Sequence, residues 1–196
     1  WAETGPSITG KWRDITCSSD GTKMAAVILT GHMWMSVDSG ATWTQGTAGS
    51  KNWYRMTASS DFTKIFAAVA SAHLWRSLDS GNTWTELATS VAETKQWFGI
   101  TCSNDGTKLA AMKYQGNMYT SLDSGDTWNK VTSIATTKEW KGLTSSADGT
   151  KVFAAVESSG ACGEGECGNI WTSTDSGATW TEVTSTGASK RWRSIT

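Results

Sequence analysis

The octapeptide Ser36-Val37-Asp38-Ser39-Gly40-Ala41-Thr42-Trp43 decides the reading of this chain, because it comes back three times. It recurs as SLDSGNTW (Ser77–Trp84), SLDSGDTW (Ser121–Trp128) and STDSGATW (Ser173–Trp180). Its aspartates Asp38, Asp79, Asp123 and Asp175 stand 41, 44 and 52 residues apart. A period of that size marks a repeated supersecondary unit. Two more anchors keep step with it. One is WRDIT from Trp12, WYRMT from Trp53, WFGIT from Trp97, WKGLT from Trp140 and WRSIT from Trp192. The other is a polar turn, SSDGTK from Ser18, SSDFTK from Ser59, SNDGTK from Ser103 and SADGTK ending at Lys151, each followed by an Ala-rich apolar stretch.

The content of one period sets the fold. In the first, Trp12 to Cys17 reads as a strand and Asp20-Gly21 as a hairpin turn. Met24 to Leu29 is a second, apolar strand, followed by a turn at Gly31-His32. Met33 to Val37 is a third strand, and the octapeptide turns the chain into a fourth that begins at Thr42-Trp43. Four short antiparallel strands per period make a propeller blade. Helical spacing of apolar residues is absent, which excludes helical solenoids.

All thirteen tryptophans fall into this register. Trp1, Trp43, Trp84, Trp128 and Trp180 end the octapeptide, and Trp12, Trp53, Trp97, Trp140 and Trp192 open the first strand. Trp34, Trp75 and Trp171 lie on the third strand, where Tyr119 takes the remaining slot. A ring repeated by slot is expected to pack between blades, where large side chains fill the wedge between neighbouring sheets. The octapeptide is expected to be architectural as well. Its carboxylate can accept backbone N–H groups that the tight turn leaves without ladder partners. Gly40, Gly81, Gly125 and Gly177 permit positive φ, and the tryptophan folds over the hairpin.

The motif S-x-D-x-G-x-T-W at blade spacing resembles the Asp-box (BNR) repeat of sialidases, Vps10-type sorting receptors and related propellers. The likeness covers nearly the whole chain. It implies an all-β propeller of four-stranded antiparallel blades. In that family the box sits between the third and fourth strands, away from the usual ligand face. It implies little about activity, because enzymes and non-enzymes both carry it. The expected organisation is one propeller domain or segment over residues 1–196. Its repeat units span about 12–52, 53–96, 97–139 and 140–191, and residues 192–196 start a further blade. Four full repeats with flanking strands predict a piece of a larger propeller, with a small closed ring or a ring completed by a second copy as the alternatives.

Sialidase chemistry needs an arginine cluster, a Tyr–Glu pair and an Asp acid/base. The five arginines here, Arg13, Arg55, Arg76, Arg191 and Arg193, follow the repeat, as do Tyr54, Tyr114 and Tyr119. No paired carboxylates stand outside repeat slots, and no nucleophile elbow, P-loop or zinc motif is present. The expectation is therefore a non-catalytic module without metal or cofactor. Two sets of loop residues are candidates for ligand binding. One is His32, His73, Asn117 and Asn169. The other is Lys51, Lys95, Lys138 and Lys190, each two residues before a first-strand tryptophan. Both belong to the face opposite the boxes and suit a glycan or a protein. The alternatives are a structural subunit of an extracellular assembly and a fragment of a sialidase-like glycoside hydrolase.

A net charge of −1 gives no general attraction to nucleic acid or anionic membrane. No apolar run nears the roughly 18 residues of a membrane-spanning helix. Cys17 and Cys102 share a small slot, expected to be buried, and are read as thiols rather than a pair. Cys162 and Cys167 lie in the insertion ACGEGECG, whose glycines let it bend back. A local disulfide is expected there. That disulfide predicts an oxidising, secreted or extracellular setting.

Overall fold

A computed structural model describes residues 9–70, 72–87, 96–134, 138–157, 168–185, 192, 194 and 195. Within them the chain forms sixteen strands and no helix. The first blade comprises β1 (Trp12–Cys17), β2 (Met24–Gly31), β3 (Met33–Ser36) and β4 (Thr44–Gln45). The second comprises β5 (Lys51–Ala58), β6 (Ile65–Val69), β7 (Leu74–Ser77) and β8 (Thr85–Glu86). The third holds β9 (Trp97–Cys102), β10 (Leu109–Lys113), β11 (Met118–Ser121) and β12 (Asn129–Lys130). The fourth holds β13 (Trp140–Ser145), β14 (Val152–Val156), β15 (Ile170–Ser173) and β16 (Thr181–Val183). Consecutive strands pair antiparallel in every blade.

Two expectations about strand ends need correction. The first blade's fourth strand begins at Thr44, because Trp43 is still in the turn, its indole Nε1 donating to the Gly40 carbonyl at 3.0 Å. The β2–β3 turn, closed between Ile28 and His32, contains Gly31 but has its positive φ, 56°, at Thr30. Gly31 instead extends β2, pairing with Lys51 at the start of the next blade.

The chain divides into two compact units. The first, Trp1–Trp97 with Asn104–Gly106, carries blades one and two. Its core lies between them: Ala25, Val27 and Met33 of blade one meet Trp53, Met56, Phe62, Ile65, Ala67 and Val69 of blade two. The second unit, Phe98–Ser103 with Thr107–Thr196, repeats the arrangement. There Ala110, Met112, Met118, Val131 and Ile134 meet Trp140, Val152, Ala154, Val156 and Trp180. Small alanines alternate with large rings because one sheet face must take in its neighbour's indoles.

A rail of hydrogen bonds ties blades together at the polar turns. Lys23 Nζ donates to the Asp61 carbonyl at 3.4 Å in the first unit. Lys108 Nζ donates to the Asp148 carbonyl at 3.0 Å in the second.

Candidate functional site

The antiparallel order puts two kinds of turn at opposite ends of each blade. At one end lie the polar turn and the octapeptide, joined by bonds such as Ser39 N–H to the Thr22 carbonyl at 2.8 Å. At the other end lie the β2–β3 turn and the segment entering the next blade, joined by the Gly31–Lys51 pair.

At the octapeptide end the polar groups bond to one another. Asp38 Oδ1 accepts the Thr42 N–H at 2.8 Å and the Ser36 hydroxyl at 2.8 Å, and Oδ2 accepts the Thr42 hydroxyl at 2.5 Å. Ser36 Oγ also accepts the Gly40 N–H at 2.9 Å. Asp79, Asp123 and Asp175 repeat the set. The threonine hydroxyl and then the threonine amide hold the carboxyls of Asp79, Asp123 and Asp175 down to about 2 from an ordinary 3.8. Asp38 is lowered for the same reason. Such carboxylates are anionic turn-holders, with three of their roughly four acceptor sites taken by the turn itself. Gly81 and Gly177 have a second constraint besides positive φ. A Cβ there would meet Met35 Cε or Thr120 Cγ2 at 2.5 Å. Trp84 and Trp128 are half-buried and Trp180 is buried, with Nε1 bonds to the carbonyls of Gly81, Gly125 and Gly177.

The opposite end carries the predicted candidates. His73 Nδ1 lies 3.0 Å from Glu86 Oε1, and Asn169 Nδ2 donates to Glu182 Oε1 at 2.6 Å. The carbonyls of His32, Asn117 and Asn169 accept the N–H of Ile28, Lys113 and Val156, closing the same turn in three blades. Lys51 Nζ stands 4.1 Å above the Trp75 ring, and Lys138 Nζ 5.0 Å above Trp171. These two lysines therefore cover the third-strand indoles of their own blades. Lys95, Lys190, Cys162 and Cys167 lie outside the described residues. Cys17 and Cys102 form no disulfide. Their slot is not buried as expected: Cys17 is exposed, and Cys102, Ala58 and Ser145 are half-buried. The slot is the last residue of the first strand, where the chain leaves the sheet for the polar turn.

Beside these ring residues, blade one opens a groove of about 540 Å³ lined by Gly10, Lys11, Ile28, Leu29, His32 and Trp34, among others. Sequence reasoning named His32 but not the groove, whose signal was the break in the repeat at Gly10. A second feature was missed for a different reason. The first strands bulge one residue after the tryptophan, at Trp12/Asp14, Trp53/Arg55 and Trp140/Gly142. The bulges bring side chains of neighbouring blades together. Arg13 Cζ lies 4.1 Å and Arg55 Cζ 5.6 Å from the Tyr54 centroid. Arg55 Nη1 lies 3.9 Å from Asp14 Oδ1, and Asp14 Oδ2 accepts the Met56 N–H at 2.8 Å. Burial raises the Asp14 carboxyl above its ordinary value despite that bond and the nearby guanidinium. In the second unit Lys141 Nζ sits 3.0 Å from Glu157 and 5.0 Å above the Tyr114 ring.

The sequence pattern described as "Sortilin, neurotensin receptor 3" (Sortilin-Vps10) matches residues 31–165 and, in a second register, 72–196. The chain belongs to the Sortilin-Vps10 family. Two overlapping registers are what a chain of near-equal blades gives, since a whole-blade shift restores the match. No curated protein matches this Sortilin-Vps10 chain.

Solved structures agree on the fold, a β-propeller. An ancestral GH74 enzyme superposes with a TM-score of 0.71 at 14% identity, covering 97% of this chain and 28% of that one. The GH74 xyloglucanase from Xanthomonas campestris gives 0.64 at 12%, covering 86% and 29%. YCF48 bound to D1 peptide gives 0.65 at 14%, covering 90% and 54%. This Sortilin-Vps10 chain thus spans under a third of the GH74 enzymes and about half of YCF48.

Proposed function

We propose that this chain is a non-catalytic binding module that holds an extended peptide segment of a partner protein at the blade ends opposite the Asp boxes. The observation that carries the reading is the groove beside Trp34, a concave, mostly apolar site at the end where side chains are not locked into the Asp-box turns. The similar fold of YCF48 bound to a peptide supports a protein partner. So do Lys51 and Lys138, whose ammonium groups lie over indoles of their own blades. The test is selection from a random peptide display library beside a glycan array. Enriched peptides that lose binding in Trp34→Ala are expected. Glycan binding with no peptide enrichment would replace this reading with the lectin-like one.

The module is proposed to work outside the cell, with Cys162 and Cys167 joined. Intact mass without reductant should fall short of the reduced mass by two hydrogens; equal masses would remove that support.

One observation favours a second reading, a structural subunit of an assembly. Trp12 is 47% and Ile15 59% exposed, whereas Trp53 and Met56 in the same slots of blade two are 0% and 6% exposed beneath blade one.

A further inference from the structure

In three of the four blades an ammonium group lies over the third-strand ring. Lys51 Nζ is 4.1 Å from the centroid of Trp75 and Lys138 Nζ 5.0 Å from that of Trp171. In blade three Lys113 of the second strand lies beside the ring, its Nζ 4.6 Å from the Tyr119 centroid and donating to the Tyr119 hydroxyl at 3.4 Å. These distances are those of cation–π contact, in which the ring face attracts positive charge. A lysine beside the third-strand ring is thus common to these three blades.

Blade one breaks the rule at both sources. Gly10 stands where Lys51 and Lys138 stand, and Ile28 stands where Lys113 stands. Among the described residues no lysine is found over Trp34, and the groove of about 540 Å³ opens beside it. A second break goes with the first. His73 Nδ1 faces Glu86, but the residue paired with Trp34 across the sheet is Gln45, not a glutamate. His32 Nδ1 is buried with no hydrogen-bond partner. In the tautomer protonated at Nε2, it is an unused acceptor.

We infer that the blade-one groove takes a lysine side chain from a bound peptide. The guest ammonium lies over Trp34 as the chain's own lysines lie over Trp75 and Trp171, with its alkyl stem along Ile28 and Leu29. This rests on the peptide-binding reading and names the residue the peptide must present. Lys11, exposed on the groove wall, opposes a cationic guest and would assist an anionic one. Its removal therefore reports the sign of the ligand's charge.

The probe is N-acetyl-lysine methylamide, followed by the indole N–H resonances of the intact chain, with the norleucine and glutamate analogues as controls. The Trp34 signal is expected to shift saturably with the lysine probe and not with either control. Lys11→Ala should tighten binding by about twofold, the scale of one screened charge in solvent. Trp34→Leu should weaken it by about 3- to 30-fold. The decisive variant restores the repeat. Gly10→Lys is combined with Ile28→Val, which recreates the pairs Lys51–Val69 and Lys138–Val156, and in a second variant with Ile28→Ala, because a Cβ on Gly10 would meet Ile28 Cγ2, a methyl that valine keeps, at 2.7 Å. An internal lysine should then exclude the probe. Equal shifts with norleucine, weaker binding in Lys11→Ala, or undiminished binding in the restored variant would each overturn the proposal. If library selection yields peptides without lysine that still need Trp34, the lysine anchor falls and the peptide reading stands. If it yields no peptides, the broader reading falls.

Discussion

At the scale of single residues, the Asp boxes are held by charge-assisted hydrogen bonds at exposed carboxylates, and that gives them an acid signature. A carboxyl whose folded pKa lies below its unfolded value stabilises the fold above the unfolded pKa, here 3.8, and ceases to do so as pH falls through the folded value. With Asp79, Asp123 and Asp175 at about 2, melting temperature should drop between pH 4 and pH 2. Asp79→Asn should melt lower than the parent at neutral pH and show a shallower drop in that window, measured by circular dichroism. Phe62 tests a different balance. It holds φ 65° at a position where three other repeats have Gly21, Gly106 and Gly149, all at positive φ. It is 1% exposed in the first unit's core. Phe62→Gly relieves roughly 1 kcal/mol of left-handed strain. It also forfeits roughly 3–5 kcal/mol of ring burial, so a net loss of about 2–4 kcal/mol is expected in urea denaturation. The glycine slots were readable from the sequence because glycine repeats there. The same sign of φ at Ser39, Ser80, Ser124 and Ser176, between 57° and 60°, was not. Serine carries no marker for it; the structure shows a tight turn with two positive-φ centres in every box, closed by bonds such as the Asp38 carbonyl accepting the Ala41 N–H at 3.2 Å.

At the scale of strands, periodicity told almost everything about existence and order and less about ends. Alternation and turn residues located all four strands of a blade. The two-residue length of β4, β8 and β12 was hidden, because the tryptophan that looks like a strand residue folds back on its turn. The bulged first strands were also hidden, and with them the Arg13–Tyr54–Arg55–Asp14 cluster, since a one-residue register shift leaves no compositional trace. The repeat lysines can be weighed as parts of the sheet. Loss of the contact over Trp75 in Lys51→Ala should lower unfolding stability by about 0.5–1 kcal/mol. Lys51→Met should recover part of it through its unbranched stem. Equal stability of all three proteins in urea titration would show that Lys51 has no architectural share.

At the scale of the molecule, what the sequence offered was a count of blades and a division of each into two ends. It could not show which tryptophans are covered. Trp12 and Trp53 are identical in motif and opposite in exposure because coverage belongs to the neighbouring blade. The exposed pair Trp12 and Ile15 predicts concentration-dependent association in sedimentation velocity. Trp12→Ser with Ile15→Ser should abolish it; since Trp12 is 47% and Ile15 59% exposed, about half of each side chain is covered in the isolated chain and some loss of thermal stability accompanies the change. A parent protein that sediments as a monomer at every concentration would end the assembly reading.

The lysine rail has a consequence for how such a molecule grows. Lys23 and Lys108 are received by main-chain oxygens of Asp61 and Asp148, not by their side chains. Every amino acid offers that oxygen, so a duplicated blade finds its attachment point in whatever follows, with no matching change required next door. Gene duplication can lengthen the array one unit at a time, while each copy's far tips drift toward new ligands.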